Sequence, residues 1–179
     1  KPQHEYPFGY TKMKGEVLSA GKQIEKGNNT ETAPPDLKEM FSLGPGNPDA
    51  GMPPRLFPKQ PAQFEEAWTT YYDTLAELAR TILKSFAVAL ELESENFFDQ
   101  FLDHHASALR ALNYPHLVDE KPVPGQLRAS AHTDYGTITI LRTDAPGLEV
   151  SKDTDPPTWV ALPYLENGFI VNLGGLMKR

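Results

Sequence analysis

Apolar residues in the segment 61–90 recur at spacings of three and four, which is the period of one helix face. Pro61 suits the first turn of a helix, where its missing N–H is not needed. The pattern therefore predicts one long amphipathic helix over residues 61–90. Core packing explains its aromatic residues, so they do not indicate a cofactor site. The apolar positions are Phe64, Trp68, Tyr71, Leu75, Leu78, Ile82, Phe86 and Ala89.

From Ser107 onward the pattern changes to short runs of β-branched or aromatic residues separated by Gly, Pro and Asp. Many short strands at close spacing favour a sandwich or jelly roll over a parallel sheet. Helices first and strands afterwards indicate an α+β fold. The predicted strands are Leu109–Tyr114, Arg128–Asp134, Thr137–Arg142, Leu148–Val150, Trp159–Leu162 and Gly168–Leu173.

Residues 1–60 contain many prolines and glycines and are predicted to be rich in loops. Within them, the stretch Asp36–Phe41 predicts a single helical turn with Asp36 as its cap.

The composition excludes several classes of protein. The net charge is −7, from 24 acidic and 17 basic residues, and no basic stripe is present. Nucleic acid and anionic membranes are therefore poor partners. The apolar runs are far shorter than the 18 or so residues of a membrane span, and we expect a cytoplasmic location. There is no Cys, so a metal site must use His and carboxylate ligands.

His132 and Asp134 form a candidate metal pair. They lie two residues apart on a predicted strand, and strand side chains alternate between faces, so both point the same way. An imidazole nitrogen and a carboxylate oxygen supply two corners of the two-His, one-carboxylate facial triad. The tripeptide alone is weak evidence, because about 0.3 chance occurrences are expected in such a chain. The alternative is a surface His beside a turn Asp.

The surroundings of this pair resemble a known family. The run HTDYGTITIL, followed by APGLEV, TWVALP and NGFIVNLGGLM, is similar to the iron-binding half of isopenicillin N synthase-like 2-oxoglutarate oxygenases. Upstream, DLKEMFSLG at 36–44 and HHASALRALNYP at 104–115 resemble that family's N-terminal region. The resemblance covers nearly the whole chain in the same order.

The resemblance implies a double-stranded β-helix, or jelly roll, with a helical N-terminal region. Residues 1–105 would form the N-terminal loop and helix region, and residues 106–179 the first part of the oxygenase domain. It also implies Fe(II), with 2-oxoglutarate as co-substrate and dioxygen as oxidant. The expected activity is oxidation of a small organic molecule, by hydroxylation, desaturation, ring closure or ethylene formation. We expect the full-length protein to be a monomer.

Position by position, the resemblance assigns His132 and Asp134 as iron ligands. Tyr114 matches a tyrosine that lines the site for the carboxylate of the co-substrate or substrate, and a tyrosine hydroxyl can donate to a carboxylate. Arg110 shares the face of Tyr114 on the predicted strand. In ethylene-forming relatives an arginine at this position contacts ligand carboxylates, but a surface arginine is an equal alternative.

Three other residues are weaker candidates for the site. His104 and His105 are adjacent, so on a strand they face opposite ways and cannot both bind one metal. One of them lines a substrate pocket or, as we favour, both lie at a helix end. Asn172 matches an Asn near the family's site, although hydrogen bonding within a sheet explains it equally well.

Two departures from the family matter. Gly174-Gly175 stands where the family has Gly-Asp, which removes a carboxylate. The third ligand, a His, and the Arg-x-Ser that grips the co-substrate are expected beyond Arg179, with the C-terminal strands. We therefore expect residues 1–179 alone to be inactive. The alternatives are a non-catalytic fragment or binding scaffold, and a cupin-like protein that binds zinc or manganese through the same His-x-Asp pair.

Overall fold

The computed structural model divides the chain into two compact units, residues 1–132 and residues 133–179. The domain boundary expected after residue 105 stays a prediction. Arg179 lies outside the part of the chain that the structure describes. The described residues are 8–19, 24–26, 29–31, 33–47, 51–118, 121–152 and 156–178.

A three-stranded antiparallel sheet with the order β1-β4-β5 organises the first unit. β2 pairs separately with β3. One long helix, α1, and a short 3-10 helix connect β4 to β5 along the chain. The elements are β1 (Gly9–Thr11), β2 (Ile24–Lys26), β3 (Asn29–Glu31), β4 (Glu39–Leu43), α1 (Phe64–Ala89), the 3-10 helix (Phe97–Phe101) and β5 (Leu109–Asn113).

The predicted long helix is present as α1, and aromatic contacts join it to β4. The ring of Phe41 lies 5.2 Å from that of Phe64 and 4.9 Å from that of Trp68, both edge-on. One turn later, the buried Tyr72 donates its hydroxyl to the carbonyl oxygen of Ser107 at 3.1 Å. Such aromatic pairs add to the stabilisation from burial alone. Among the described residues, the buried apolar side chains are Leu37, Met40, Leu43, Tyr72, Leu83 and Ala87.

The second unit consists of two antiparallel strand pairs that are nested along the chain. β6 pairs with β9, and β7 pairs with β8 between them. The residues of β9 alternate between partly buried and exposed, as expected for a strand with one covered face. In this unit, four of the predicted strands are thus present within two residues of their predicted ends. They are β6 (Ile138–Leu141), β7 (Glu149–Lys152), β8 (Thr158–Ala161) and β9 (Ile170–Leu173), followed by a 3-10 helix (Gly175–Lys178).

The helical turn predicted at Asp36–Phe41 is wrong. Glu39–Leu43 is the central strand of the sheet, hydrogen-bonded to β1 on one side and to β5 on the other. Asp36 does not cap a helix, because its carboxylate accepts hydrogen bonds from Leu18 and Ser130, 18 and 94 residues away in sequence. These distant partners override the local cap pattern.

The strand predicted at Arg128–Asp134 is also wrong, since these residues form an irregular segment. Around it, Leu127 accepts a hydrogen bond from the backbone of Leu37, and Arg128 donates to the carbonyl oxygens of Tyr114 and Pro115. The segment is therefore held by separate long-range bonds in place of a strand ladder. The argument that His132 and Asp134 share a strand face no longer applies.

No helix in the described ranges combines the length and the apolar character needed to cross a membrane.

Candidate metal centre

His132 is oriented by a backbone carbonyl two residues earlier. Its Nδ1 lies 2.8 Å from the carbonyl oxygen of Ser130. A carbonyl oxygen can only accept a hydrogen bond, so this contact requires the proton of the neutral imidazole to be on Nδ1. The lone pair is then on Nε2, the nitrogen that a metal ion would bind. Histidines that bind metals usually donate their other ring N–H to a carbonyl or carboxylate in this way, which fixes the orientation of the ring.

Ser130 is itself held by the buried carboxylate of Asp36. Oδ1 of Asp36 accepts hydrogen bonds from the backbone N–H of Ser130 at 2.9 Å and from its hydroxyl at 2.6 Å. Oδ2 accepts from the backbone N–H of Leu18 at 3.0 Å and from Lys38 Nζ at 3.2 Å. The Asp36 side chain is 0% exposed. Among the described residues, the donors to this carboxylate come from three separate segments of the first unit.

Charge pairing extends from Asp36 to Arg110. The ammonium group of Lys38, which is only 2% exposed, lies 2.8 Å from Oε2 of Glu16. The other oxygen of Glu16 is 3.4 Å from a guanidinium nitrogen of Arg110, which is 49% exposed. Two anions and two cations thus alternate, so the buried charges are compensated, as buried charges must be. The contact places Arg110 in this ion-pair network.

The same charges act on Tyr114, which follows the last residue of β5. Burial raises the pKa of the Tyr114 hydroxyl, and the negative charges of Asp36 and Glu16 raise it further. The hydroxyl therefore stays protonated at neutral pH and can act as a donor. The side chain is half-exposed, so it remains accessible to a ligand.

Asp134, in the second unit, is held by a cross-strand pair. Its Oδ2 accepts hydrogen bonds from the hydroxyl of Thr139 at 2.6 Å and from the amide of Asn172 at 2.8 Å. Thr139 on β6 and Asn172 on β9 are directly opposite each other in the strand register, so their side chains share a face. The sheet therefore orients the carboxylate, and Asn172 has a role that the pattern of strands left open.

Sequence reasoning missed Ser130 and Thr139. Thr139 did carry a signal, because it is a polar residue on alternate positions with Thr137 in an otherwise apolar strand. Nothing near Ser130 in sequence indicates its bond to Asp36, since the two residues are 94 positions apart.

His104 and His105 lie elsewhere in the first unit. They line a polar cleft of about 340 Å³ together with Arg55, Arg80 and the α1 residues around Tyr72. Burial lowers the pKa of His105, and the charges of Arg80 and Arg55 lower it further, so it is neutral at pH 7. Over the described ranges, no group of three or more His, Cys, Asp or Glu side chains is arranged to hold a metal ion.

The donors at 132 and 134 match the chemistry of a non-haem iron site. A neutral imidazole with its lone pair on Nε2 and an oriented carboxylate are two of the ligand types that Fe(II) takes in a facial triad. Each has a hydrogen-bonded support, which is the second condition for a working metal ligand.

Comparison with known proteins points to one superfamily. The model of the 2OG-Fe(II) oxygenase superfamily matches residues 106–179. The chain is 34% identical to the 2-oxoglutarate-dependent dioxygenase citB of Monascus ruber, over 81% of this chain and 48% of that protein. It is 30% identical to validamycin A dioxygenase of Streptomyces hygroscopicus subsp. limoneus, over 81% of this chain and 42% of that protein.

A solved structure gives the same result. The full-length Neurospora crassa protein crystallised with alpha-KG matches with a TM-score of 0.72 and 28% identity, over 95% of this chain and 50% of that one. The same protein has also been crystallised with alpha-KG and thymine. The antiparallel strand pairs agree with the jelly-roll fold of such neighbours. The chain spans about half the length of the curated relatives it matches.

The hydrogen bonds at Asp36 predict a specific acid sensitivity. Burial raises the pKa of Asp36, but the bonds from Ser130 and Leu18 and the charge of Lys38 outweigh it, so the pKa lies below its ordinary value. Because the pKa of Asp36 is lower in the folded protein than in the unfolded chain, where it is about 3.9, its ionised carboxylate stabilises the fold fully at pH values above the unfolded pKa. This stabilisation is lost as the pH falls through the folded pKa.

Ser130→Ala removes one of these bonds. At pH 7 we expect it to lower the free energy of unfolding by about 1–3 kcal/mol, the usual value for a hydrogen bond to a charged group. As the pH falls from about 5 to about 2, the free energy of unfolding of Ser130→Ala should decrease by less than that of the wild type. Urea unfolding at several pH values measures both effects. Ser85→Ala, whose hydroxyl bonds only a backbone carbonyl on the helix surface, is the control. A Ser130→Ala curve parallel to the wild type would contradict the assignment.

The backbone packed against residues 134–137 predicts that Gly174 and Gly175 differ in their tolerance of a side chain. Gly174 N–H donates to the carbonyl of Thr137 at 2.9 Å, and Gly175 N–H donates to that of Asp134 at 2.7 Å. A Cβ at Gly174 would overlap the carbonyl oxygen of Gly136, whereas a Cβ at Gly175 would meet its nearest atom at 3.5 Å.

Gly174→Ala should therefore lower stability by about 1–3 kcal/mol or more, as expected for overpacking, whereas Gly175→Ala should change it little. Thermal unfolding of the two variants measures the difference. Equal melting temperatures for both would show that the close approach at Gly174 is not needed.

Proposed function

Because the chain belongs to the 2OG-Fe(II) oxygenase superfamily, we propose that the intact protein is a non-haem iron enzyme. It couples oxidative decarboxylation of 2-oxoglutarate to oxidation of a small organic molecule. One observation carries the proposal most directly: the bond from His132 Nδ1 to Ser130, which leaves Nε2 as the basic nitrogen of the first ligand in the His-x-Asp motif.

In this proposal His132 and Asp134 hold Fe(II). When bound, the iron supplies activation of dioxygen, driven by conversion of 2-oxoglutarate to succinate and CO2. The protein's own residues orient the two ligands. Thr139 and Asn172 both donate to one oxygen of Asp134, so they fix the rotation of the carboxylate. The third ligand and the arginine that grips the co-substrate remain predictions from the resemblance.

Tyr114 is proposed to donate its hydroxyl to a carboxylate of 2-oxoglutarate or substrate. Its raised pKa and half-exposed position support this role. For Arg110 the ligand role is weaker, because Glu16 already accepts from its guanidinium group. The related proteins differ in the small molecules that their names and crystals contain, and we propose no single substrate.

Removal of either proposed ligand should abolish iron binding. In the intact protein, His132→Ala and Asp134→Ala should each lose Fe(II) under conditions that saturate the wild type, because the remaining ligands hold the ion too weakly. Anaerobic titration followed by elemental analysis gives the stoichiometry. His116→Ala and Asp144→Ala replace exposed residues of the same types and should bind normally.

Full iron occupancy in both ligand variants would refute the assignment of this pair. An intact wild-type protein that binds no iron would favour the binding-scaffold alternative, and one that retains only zinc or manganese would favour the cupin-like alternative.

Removal of the Tyr114 hydroxyl should weaken ligand binding without loss of iron. Tyr114→Phe should reduce the affinity for 2-oxoglutarate or substrate by about 1–3 kcal/mol, the value for a lost hydrogen bond to a charged group. Calorimetric titration of the metal-loaded protein measures both affinities. Tyr135→Phe is the matched control, because Tyr135 is 92% exposed.

Arg110→Ala in the same titration decides the role of the arginine. A larger loss than that of Tyr114→Phe supports contact with the ligand carboxylate. Unchanged affinities would assign Arg110 to its ion pair with Glu16, and unchanged affinities in Tyr114→Phe as well would make this strand purely structural.

A further inference from the structure

Hydrogen bonds through Ser130 connect the buried Asp36 to His132, the proposed metal ligand. Asp36 lies 96 positions from His132 in the numbering, yet one residue, Ser130, bonds to both. The N–H and hydroxyl of Ser130 donate to Asp36 Oδ1 at 2.9 and 2.6 Å, and the carbonyl oxygen of Ser130 lies 2.8 Å from His132 Nδ1. All three residues belong to the first unit.

We propose that Asp36 is a positioning residue for His132, and that it sets the tautomer and the orientation of the imidazole through Ser130. The relevance of this to iron rests on the proposed function, in which His132 is a ligand. The positioning itself concerns only residues of the described first unit.

The first argument is geometric. Residues 128–134 form no strand, so no ladder of backbone bonds fixes the peptide planes around Ser130. Two donors of Ser130 converge on a single carboxylate oxygen, which restricts the rotation of that residue about its backbone bonds. Because the carbonyl of the same residue meets the imidazole, a rotation that breaks the contacts to Asp36 also turns the carbonyl away from Nδ1.

The second argument concerns charge. Asp36 has no exposed surface, so a lone carboxylate there would be strongly disfavoured. Lys38 neutralises it, and Lys38 is held in turn by Glu16 at 2.8 Å. The acceptor at Oδ1 therefore remains an anion, and hydrogen bonds to an ionised acceptor are stronger than neutral ones. The hydrogen bonds to Asp36 are therefore strong enough to fix the orientation of Ser130.

The third argument is the chemistry of the imidazole. A neutral histidine in water exchanges its proton between Nδ1 and Nε2, and only an Nδ1–H form leaves Nε2 able to bind metal. The carbonyl of Ser130 selects that form. Loss of a hydrogen-bond partner that orients a metal ligand typically lowers metal affinity 10- to 100-fold.

The alternative is that Asp36 stabilises the fold and has no particular influence on His132. Activity or melting temperature would not separate the two, because both would fall in either case. The tautomer of His132 in the metal-free protein does separate them, and it does not depend on the enzyme's reaction.

The experiment uses the intact, metal-free, nitrogen-15-labelled protein at a pH at which its histidines are neutral. Long-range proton–nitrogen spectra report which imidazole nitrogen carries the proton, and His132→Ala assigns the signal. We expect Nδ1–H in the wild type. In Asp36→Asn, which preserves shape but removes the charge and reverses one acceptor, we expect a shift toward Nε2–H. Fe(II) affinity should fall about 10- to 100-fold.

Two further variants keep the test decisive. Ser130→Gly removes the hydroxyl bond to Asp36 Oδ1 and frees the backbone, but it keeps the ion pair between Asp36 Oδ2 and Lys38. It should therefore shift the tautomer in the same direction even if Asp36→Asn does not fold. Leu83→Ala opens a cavity under α1 and lowers stability without touching Ser130 or His132. It should leave the His132 signal unchanged.

An unshifted His132 signal in folded Asp36→Asn or in Ser130→Gly would overturn the proposal, as would an equal shift in Leu83→Ala. If the wild type binds no iron but the tautomer still responds to Asp36, the positioning stands and the proposed function fails. If iron binds and neither tautomer nor affinity responds, the proposed function stands and the positioning fails.

Discussion

A buried carboxylate is the constraint on which the first unit depends. Asp36 has no access to solvent, and a charge in that environment must be fully paired and hydrogen-bonded. In the part of the chain that the structure describes, it accepts four hydrogen bonds, from the backbone of Leu18, from Lys38 and twice from Ser130. The requirement therefore joins parts of the chain that have no strand or helix in common, including the segment that leads into the His-x-Asp motif.

The side chains of the two proposed ligands are oriented by different interactions. His132 depends on a backbone carbonyl whose position derives from the Asp36 network. Asp134 depends on the register of a strand pair, because Thr139 and Asn172 meet its carboxylate only when they lie opposite each other. A one-residue slip of β6 against β9 would turn one of these donors to the other face. Sheet register thus controls the chemistry of the carboxylate as well as the packing of the strands.

Periodicity predicted the elements whose partners are close in sequence or whose pattern is long. Helix α1 and the strands β6 to β9 follow from it, because each carries its own period over several residues. The errors at 36–41 and 128–134 have a common cause. In both, partners that are distant in sequence decide the local structure: β1 and β5 pair with Glu39–Leu43, and Asp36 binds the backbone of Ser130. No short window of sequence contains that information.

For the site, the motif and its resemblance identified His132 and Asp134, but not the residues that orient them. Thr139 was detectable as a polar residue in an apolar strand. Ser130 and the role of Asp36 were not, since a Ser before a motif and an Asp before a strand are common in any loop. Asp36 even gave a misleading cap signal, because the same acceptor chemistry serves both a helix N-terminus and a buried network.

The pair Gly174-Gly175, where the resemblance led us to expect Gly-Asp, supports Asp134 through its backbone. Gly175 contributes its N–H to the carbonyl of Asp134, a bond that any residue except proline can make. A Cβ there would be in ordinary contact, so the missing carboxylate is not excluded by space. The carboxylate of Asp134 is instead held by two neutral donors, the hydroxyl of Thr139 and the amide of Asn172, and neither bond requires a charged residue at position 175.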